Sequence, residues 1–180
     1  LTSSLFHSIN RTSGFSTVDF GQTTEQTNLF FTSLMFIGGA SASVAGGIKV
    51  NTFALIVIAV ATSLRGGVGV SAFGRRVPNI QIQWALVLVV VSFLGASILA
   101  FVLAFIESDY PFLDLLFEAV SALGTVGFST GLTGDLSAAS QVLLAVAMFI
   151  GRIGPPLVIV VALSRGDEGS PIRYPTERVL

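Results

Sequence analysis

The residues with the clearest chemical potential form a hexapeptide, Thr-x-Gly-Phe-Ser-Thr, that occurs twice, at 12–17 and 125–130. The two copies are 113 positions apart, and the same separation without a gap places the run Met-Phe-Ile-Gly at 35–38 on an identical run at 148–151. Glycine reaches backbone angles closed to other residues, so a loop around it can turn successive carbonyl oxygens toward one axis. Carbonyls arranged in this way replace the hydration shell of a monovalent cation. The repeat therefore predicts two loops of an ion filter built by duplication.

The predicted ion ligands lie at the centre of each loop. They are Thr12, Ser13, Gly14, Phe15, Thr125, Val126, Gly127 and Phe128. A glycine at such a place can also serve as the C-cap of a helix. One copy of the motif would favour that simpler turn, whereas two copies in register favour the filter.

The composition is that of a membrane protein. Hydrophobic residues make up 52% of the chain and charged residues 11%, against roughly 25% charged in soluble domains. The run from Trp84 to Ile106 is uncharged throughout and exceeds the roughly 20 residues needed to span about 30 Å of hydrocarbon. We therefore expect an all-α chain in contact with lipid. The net charge of -1 gives no reason to expect a nucleic-acid partner.

Other chemistry is weakly supported by the sequence. No nucleophile–base pair or metal-binding cluster stands out, and His7, the single histidine, is expected to pack or to hydrogen-bond locally. We therefore expect a chain that is not an enzyme and that carries no cofactor. Because it opens at Leu1 directly into a helix-like segment, we also expect a piece of a longer protein.

A short helix is predicted before the second motif, from Pro111 to Leu123. A helix of this length reaches only about 20 Å, so it cannot cross the membrane. Pro111 suits a first helical turn, and Asp114 complements the positive end of the helix dipole there. Such a helix would aim its negative end at the bilayer centre, where it favours a cation.

Two hydrophobic units are expected to be interrupted. The first, 28–64, holds four glycines between Gly38 and Gly47, each of which costs about 1 kcal/mol in a helix relative to alanine. The last, 141–163, is predicted to break at Arg152 and at the Gly-Pro-Pro run that follows, Gly154, Pro155 and Pro156.

Arg152 has two interpretations. A charge at mid-membrane costs about 2.5–3.5 kcal/mol unless it is paired or hydrated. The arginine would either form a structural ion pair, with a carboxylate such as Glu118 or with one in the missing half of the protein, or face the permeation path below the filter and repel a cation. Lys49 follows the glycine-rich segment at the corresponding depth and would otherwise extend toward the cytoplasm.

Charge predicts how the chain lies in the membrane. Six arginines flank one set of span ends and four acids flank the other: Arg65, Arg75, Arg76, Arg165, Arg173 and Arg178 against Glu107, Asp109, Asp114 and Asp135. The positive-inside rule makes the arginine side cytoplasmic. The chain then crosses the membrane twice between the motifs, so both motifs face outward and the repeats stand parallel.

The motifs together resemble the Trk/Ktr/HKT superfamily of potassium transporters, most closely the C-terminal half of a Ktr-type membrane subunit. The matching segments are 10–17 (NRTSGFST), 45–49 (AGGIK), 73–78 (FGRRVP), 121–130 (SALGTVGFST) and 148–155 (MFIGRIGP). Two departures fall in the region that the family uses for gating. Ala42, Ser43 and Val44 occupy the centre of the first glycine-rich segment, where Pro-Gly-Ser is usual, and Gly154-Pro155-Pro156-Leu157 replaces the usual Gly-Pro-Leu-Thr.

The resemblance implies span–pore-helix–span repeats of a potassium-channel-like pore. Residues 1–79 would hold the end of the third repeat, 80–164 the complete fourth repeat, and 165–180 a cytoplasmic tail. The gate would comprise Gly46, Gly47, Lys49 and Arg152. Potassium would be the transported ion, bound at the filter residues only.

The same resemblance implies partners and a location. The full-length subunit would form a homodimer and bind a cytosolic ring of nucleotide-binding regulatory subunits. It would cross the inner membrane of a bacterial cell several times.

Two other functions stay open at this point. A secondary transporter of another small solute, with broken helices, would explain the glycine-rich segment and Arg152. It would not explain two identical motifs on one side of the membrane. A structural membrane subunit would predict no ion flux.

Overall fold

The computed structural model describes residues 2–40, 43, 45–66, 69–72 and 75–164, and describes side chains in these ranges except at 71, 72, 75 and 154–164. Over these residues the chain is mostly helical, as predicted. The helices are α1 (Thr2–Ile9), α2 (Glu25–Phe36), α3 (Val50–Leu64), α4 (Asn79–Ile106), α5 (Phe112–Gly124) and α6 (Ala138–Ser164). The predicted tail, 165–180, lies outside the described residues.

Short elements join these helices. Single 3-10 turns precede α2 and α6, at Phe20–Gln22 and Leu132–Gly134. A two-stranded antiparallel ribbon, β1 (Ser71–Ala72) and β2 (Arg75–Arg76), lies between α3 and α4. These strands are two residues each and do not alter the helical character of the chain.

Among the helices whose side chains are described throughout, α4 is the one that is long and apolar enough to cross a membrane, with a mean hydropathy of 2.9 over its most apolar window. It contains the predicted span from Trp84. One face packs inward through Leu99, Ala100 and Leu103, which are buried. The opposite face is left apolar and open, and Phe105 on it is 88% exposed. An open apolar face of this kind suits contact with lipid.

Helix α5 lies at the centre and packs against α2, α4 and α6. Its observed bounds match the short helix predicted from Pro111 within one residue, and Asp114 lies in its first turn. The helix is buried on nearly every side, and Leu115 and Phe117 are fully covered. A short helix can be buried in this way because α4 and α6 both lie against it.

Two hydrophobic clusters hold α5 in place. One joins it to α4 and α6 through Leu103, Leu115 and Leu144. The other joins it to α2, to the second motif loop and to the 3-10 turn that follows the first motif, through aromatic rings that include Phe20 and Phe128. The second cluster therefore ties the loop 125–130 directly to the central helix.

The two halves of the duplication share their elements. Helix α1 corresponds to the C-terminal part of α5, and α2 and α6 begin at equivalent positions, Glu25 and Ala138. They then diverge. Helix α2 ends at Phe36, where the predicted interruption is confirmed, and the chain resumes as a helix at Val50.

The predicted break in the last hydrophobic unit is wrong. Helix α6 runs without interruption to Ser164, through Arg152 and the Gly154-Pro155-Pro156 run. Pro and Gly are tolerated inside membrane helices because neighbouring helices and small backbone adjustments compensate the lost hydrogen bonds.

Gly38 and Gly151 are equivalent in the two copies of the repeat but have different roles. At Gly38 the backbone amide donates to the carbonyl of Ile48 at 2.7 Å, and the chain leaves the helix. At the equivalent Gly151 the helix continues, and a Cβ there would collide with the carbonyl of Leu123 at the end of α5. Gly151 therefore lets α6 approach α5 closely.

Candidate ion-conducting site

The two motif loops, 12–17 and 125–130, lie side by side. Both central glycines have left-handed backbone angles, with φ of 71° at Gly14 and 92° at Gly127. A Cβ on Gly14 would lie 2.7 Å from the carbonyl oxygen of Val126, and a Cβ on Gly127 would lie 3.5 Å from Cα of Gly14. The loops therefore meet through glycine backbone, with no room for a side chain on Gly14.

Three carbonyls in each loop accept no hydrogen bond from any described residue. They belong to Thr12, Ser13, Gly14, Thr125, Val126 and Gly127. Backbone carbonyls that have no protein donor are the groups that a filter presents to a dehydrated cation.

The carbonyls of the two motif phenylalanines are held differently. The side-chain amide of Asn10 donates to the carbonyl of Phe15, and the hydroxyl of Ser121 donates to that of Phe128. A carbonyl oxygen has two lone pairs, so each retains one for another partner. Within the predicted set, these two carbonyls are thus held by protein donors, one just after α1 and one in α5.

The side chains of the two phenylalanines also differ. Phe128 is 3% exposed and packs on the rings of Phe20 and His7. Phe15 is 74% exposed. The loop 125–130 is therefore fixed by an aromatic core that the loop 12–17 lacks on its outer side.

Thr125 closes α5 in an unusual conformation. Among the described residues it is the one non-glycine with a positive φ, 51°. Its amide donates to Ala122, and the next amide, of Val126, donates to Ser121, which completes a Schellman ending. Glycine usually takes this position, and a residue with a side chain costs about 1–2 kcal/mol there.

The segment between α2 and α3, residues 37–49, passes beneath this point; we call it the α2–α3 loop. The amide of Gly46 donates to Oγ1 of Thr125 at 2.8 Å. Gly47 has a φ of 70°, and a Cβ there would lie 3.6 Å from Cα of Gly124. The predicted gating residues Gly46 and Gly47 thus lie against the end of α5.

Lys49 stabilises the α2–α3 loop through hydrogen bonds to other residues of the same loop. Its ammonium donates to the carbonyls of Ser43, at 3.0 Å, and Ala45. The ends of the loop are joined by a backbone bridge between Ile37 and Ile48. Ala42 and Val44, which mark the departure from the family pattern, lie outside the described residues.

Arg152 faces a cavity of about 610 Å³ next to the second motif loop. The cavity is lined by Ser121, Thr125, Gly127, Ala145, Met148, Phe149, Arg152 and Ile153. Arg152 therefore lies beside the second motif loop, and Lys49 lies in the α2–α3 loop that contacts the end of α5.

Glu118 is engaged elsewhere, so the interpretation of an Arg152–Glu118 ion pair is not supported. Both oxygens of this buried carboxylate accept hydrogen bonds from the second motif loop and the turn after it, at Ser129, Thr130 and Thr133. This role of Glu118 was not predicted, although a buried carboxylate in an apolar helix needs several hydrogen-bond donors.

These features define a membrane chain with two adjacent glycine loops and a basic region beside them. A family model described as TrkH, cation transport protein, matches residues 1–167. The chain therefore belongs to this family of cation transport proteins, as its motifs indicated.

Individual relatives agree with that assignment. The chain is 42% identical over 180 residues to the Ktr system potassium uptake protein B of Bacillus subtilis (strain 168), covering 99% of this chain and 40% of that protein. It is 37% identical over 181 residues to the Ktr system potassium uptake protein D of the same strain, covering 98% and 39%. It is 40% identical over 171 residues to the Ktr system potassium uptake protein B of Vibrio alginolyticus, covering 94% and 37%. The chain thus spans 37 to 40% of the length of these relatives.

Proposed function

We propose that this chain supplies two of the filter loops of a potassium uptake protein. The observation that carries the proposal is the contact between Gly14 and Gly127, which brings two loops with unoccupied carbonyls side by side. Successive backbone carbonyls replace the hydration shell of a monovalent cation. The relatives are named as potassium uptake proteins of Ktr systems, which gives the identity of the ion.

Helix α5 would act as the pore helix of the fourth repeat. Its C-terminus ends at the second motif loop, so the negative end of its dipole lies beside the carbonyls and favours a cation there. Helix α1, which ends shortly before the first motif loop, would play the same part in the third repeat. The ligands are the eight residues of the predicted set, of which Phe15 and Phe128 contribute less.

The α2–α3 loop would be the gate. It lies directly under Thr125 and is held there by the hydrogen bond from Gly46. Lys49 and Arg152 add positive charge to the same region. At an effective dielectric of 20, a unit charge repels a cation by about 4 kcal/mol at 4 Å. A cation leaving the filter would therefore meet both a physical obstruction and an electrostatic barrier.

Two loops surround an ion on one side only. The exposed side of Phe15 is where further loops of a full subunit would pack. In this proposal the full-length protein lies in the bacterial inner membrane as a homodimer and binds a cytosolic ring of nucleotide-binding subunits. The relatives' description as Ktr systems, which implies several components, supports such partners.

The test is uptake by bacterial cells that lack their own potassium transporters. Cells expressing the natural full-length protein should grow at low external K⁺, and excess Na⁺ should compete weakly. Uptake that requires a second solute, with no K⁺ current in reconstituted vesicles, would favour a secondary transporter. Absence of any flux at confirmed membrane expression would favour a structural subunit.

A further inference from the structure

Each motif loop is held at the same atom by a different ionisable side chain. The last residue of the motif is Thr17 in the first copy and Thr130 in the second. The amide of Thr130 donates to Oε1 of Glu118 at 3.0 Å. The amide of Thr17 donates to Nε2 of His7 at 3.2 Å.

The serine before each of these threonines lies close to the same side chain. The hydroxyl of Ser129 donates to Oε1 of Glu118 at 2.6 Å, and the hydroxyl of Ser16 lies 3.2 Å from Nε2 of His7. Both acceptors are buried, His7 at 3% and Glu118 at 4% exposure. Each loop is therefore anchored at the amide of its last threonine by one side chain of the helix that precedes it. Glu118 also accepts from the serine before that threonine, whereas the hydroxyl of Ser16 donates to the carbonyl of Val18.

The imidazole is oriented for this task. Its Nδ1 lies 2.8 Å from the carbonyl of Ser3. A carbonyl only accepts, so Nδ1 carries the proton and Nε2 has its lone pair free to accept from the amide of Thr17. Phe20 and Phe31 pack edge-on against the ring and keep it in that orientation.

The two anchors do not occupy equivalent positions. The offset between the repeats places His7 on Val120 and Glu118 on Leu5. A shared ancestor residue therefore does not account for the two contacts. The two repeats nevertheless both place a hydrogen-bond acceptor at the amide of the last threonine of the motif.

We propose that His7 and Glu118 are positioning residues that fix the motif loops and thereby the ion preference of the filter. This inference rests on the proposed function. The threonine amides lie three residues after Gly14 and Gly127, so holding them limits how far the glycine carbonyls can move. In this proposal the ion preference depends on the position of the acceptor atom, which the length of the side chain sets, and not on its charge.

Matched substitutions of Glu118 and His7 separate the effect of side-chain length from the effect of charge. Glu118→Gln keeps an oxygen at the same distance without the charge, and Glu118→Asp keeps the charge but withdraws it by one methylene. Likewise, His7→Gln places an oxygen near the position of Nε2, whereas His7→Asn reaches only the position of Nδ1. The four variants are introduced into the natural full-length protein and compared by K⁺ uptake in competition with Na⁺, per folded molecule.

We expect the two glutamine variants to keep the K⁺ preference within about twofold, and the Glu118→Asp and His7→Asn variants to lower it by roughly fivefold. A purely structural role would lower the amount of folded protein without changing the preference. Asp retaining the preference while Gln loses it would show that Glu118 acts by its charge and would overturn the proposal.

Amide hydrogen exchange on the purified protein gives a second measurement that does not depend on transport. Glu118→Asp should speed exchange in 125–130 and leave 12–17 unchanged, and His7→Asn should do the reverse. Unchanged exchange in both loops would contradict the anchoring. If substitutions of Gly14 and Gly127 alter ion preference while these variants do not, the filter stands and this inference alone fails.

Discussion

The amide of Gly46 donates a 2.8 Å hydrogen bond to Oγ1 of Thr125, across a separation of 79 residues in the chain. It joins the α2–α3 loop to the residue that ends α5 and begins the second motif loop. Thr125 adopts a strained left-handed conformation at this position, with a φ of 51°. A glycine there would be relaxed but would offer no hydroxyl. The strained threonine is thus explained by the contact that its side chain makes.

The first prediction follows from this contact. Thr125→Val keeps the shape of the side chain and removes the acceptor, so the amide of Gly46 loses its partner at a cost of about 1–3 kcal/mol. We expect the α2–α3 loop to open more easily and K⁺ uptake to rise in the absence of the regulatory partner. Thr125→Ser, which keeps the hydroxyl, is the control and should behave like the unmodified protein. Uptake per folded molecule, with and without the partner, measures the difference.

The second prediction concerns the glycines. Gly14→Ser adds a Cβ that would lie 2.7 Å from the carbonyl of Val126, in addition to the strain of a positive φ. Gly127→Ser brings the strain with a milder contact, at 3.5 Å. Left-handed strain alone costs about 1–2 kcal/mol. Both should lower the preference for K⁺ over Na⁺, Gly14→Ser by at least about tenfold and more than Gly127→Ser.

Gly131→Ser is the matched control for these variants. Gly131 has the same φ as Gly127, 92°, and a Cβ there would meet nothing within 4 Å. The control shares the backbone strain but lies outside the filter residues, so ion competition should be unchanged. If Gly14→Ser and Gly127→Ser also leave Na⁺ competition unchanged, the assignment of the filter is wrong.

Local chemistry made much of this arrangement predictable. The glycine motif, the proline and aspartate at the start of α5, and the interruption after Phe36 all depend on neighbouring residues. The contacts that complete the site do not. Gly46 with Thr125 and Glu118 with Thr130 require the tertiary packing of helices, which no spacing in the sequence encodes. The continuous α6 was missed because the prediction relied on the low helix propensity of Gly154, Pro155 and Pro156, which membrane helices tolerate.

The third prediction concerns the C-terminal end of α4. Glu107 follows the last residue of α4, and its carboxylate accepts from the amide of Ser137 at 2.9 Å and the hydroxyl of Ser140 at 2.7 Å. Hydrogen bonding from Ser137, and then from Ser140, lowers the pKa of Glu107 from its ordinary value of 4.5. The charged form is therefore favoured by folding, and the link between α4 and the start of α6 is strongest when it is charged.

The sign of the pH effect follows from the lowered pKa. The stabilising contribution of Glu107 is fully present above its unfolded pKa and is lost as the pH falls through the lower, folded pKa. Thermal unfolding of the purified protein in detergent should show Glu107→Gln less stable than the unmodified protein at pH 7, with the difference shrinking on acidification. Asp109→Asn, at an exposed carboxylate nearby, is the control. A difference that stays constant down to acidic pH would contradict the prediction.

The last prediction concerns Arg152. This residue borders the cavity that contains Thr125 and Gly127, so in the proposed pore its charge would oppose a cation that leaves the filter. Arg152→Ala should raise K⁺ uptake several-fold and weaken its dependence on the regulatory partner, as should deletion of 40–44 from the α2–α3 loop. Arg152→Lys keeps the charge and should change uptake little, and Arg65→Ala, at an exposed arginine after α3, controls for loss of charge alone. Uptake per folded molecule is measured with and without the partner. If Arg152→Ala lowers uptake in both conditions, the arginine holds helices together and does not restrict the ion path.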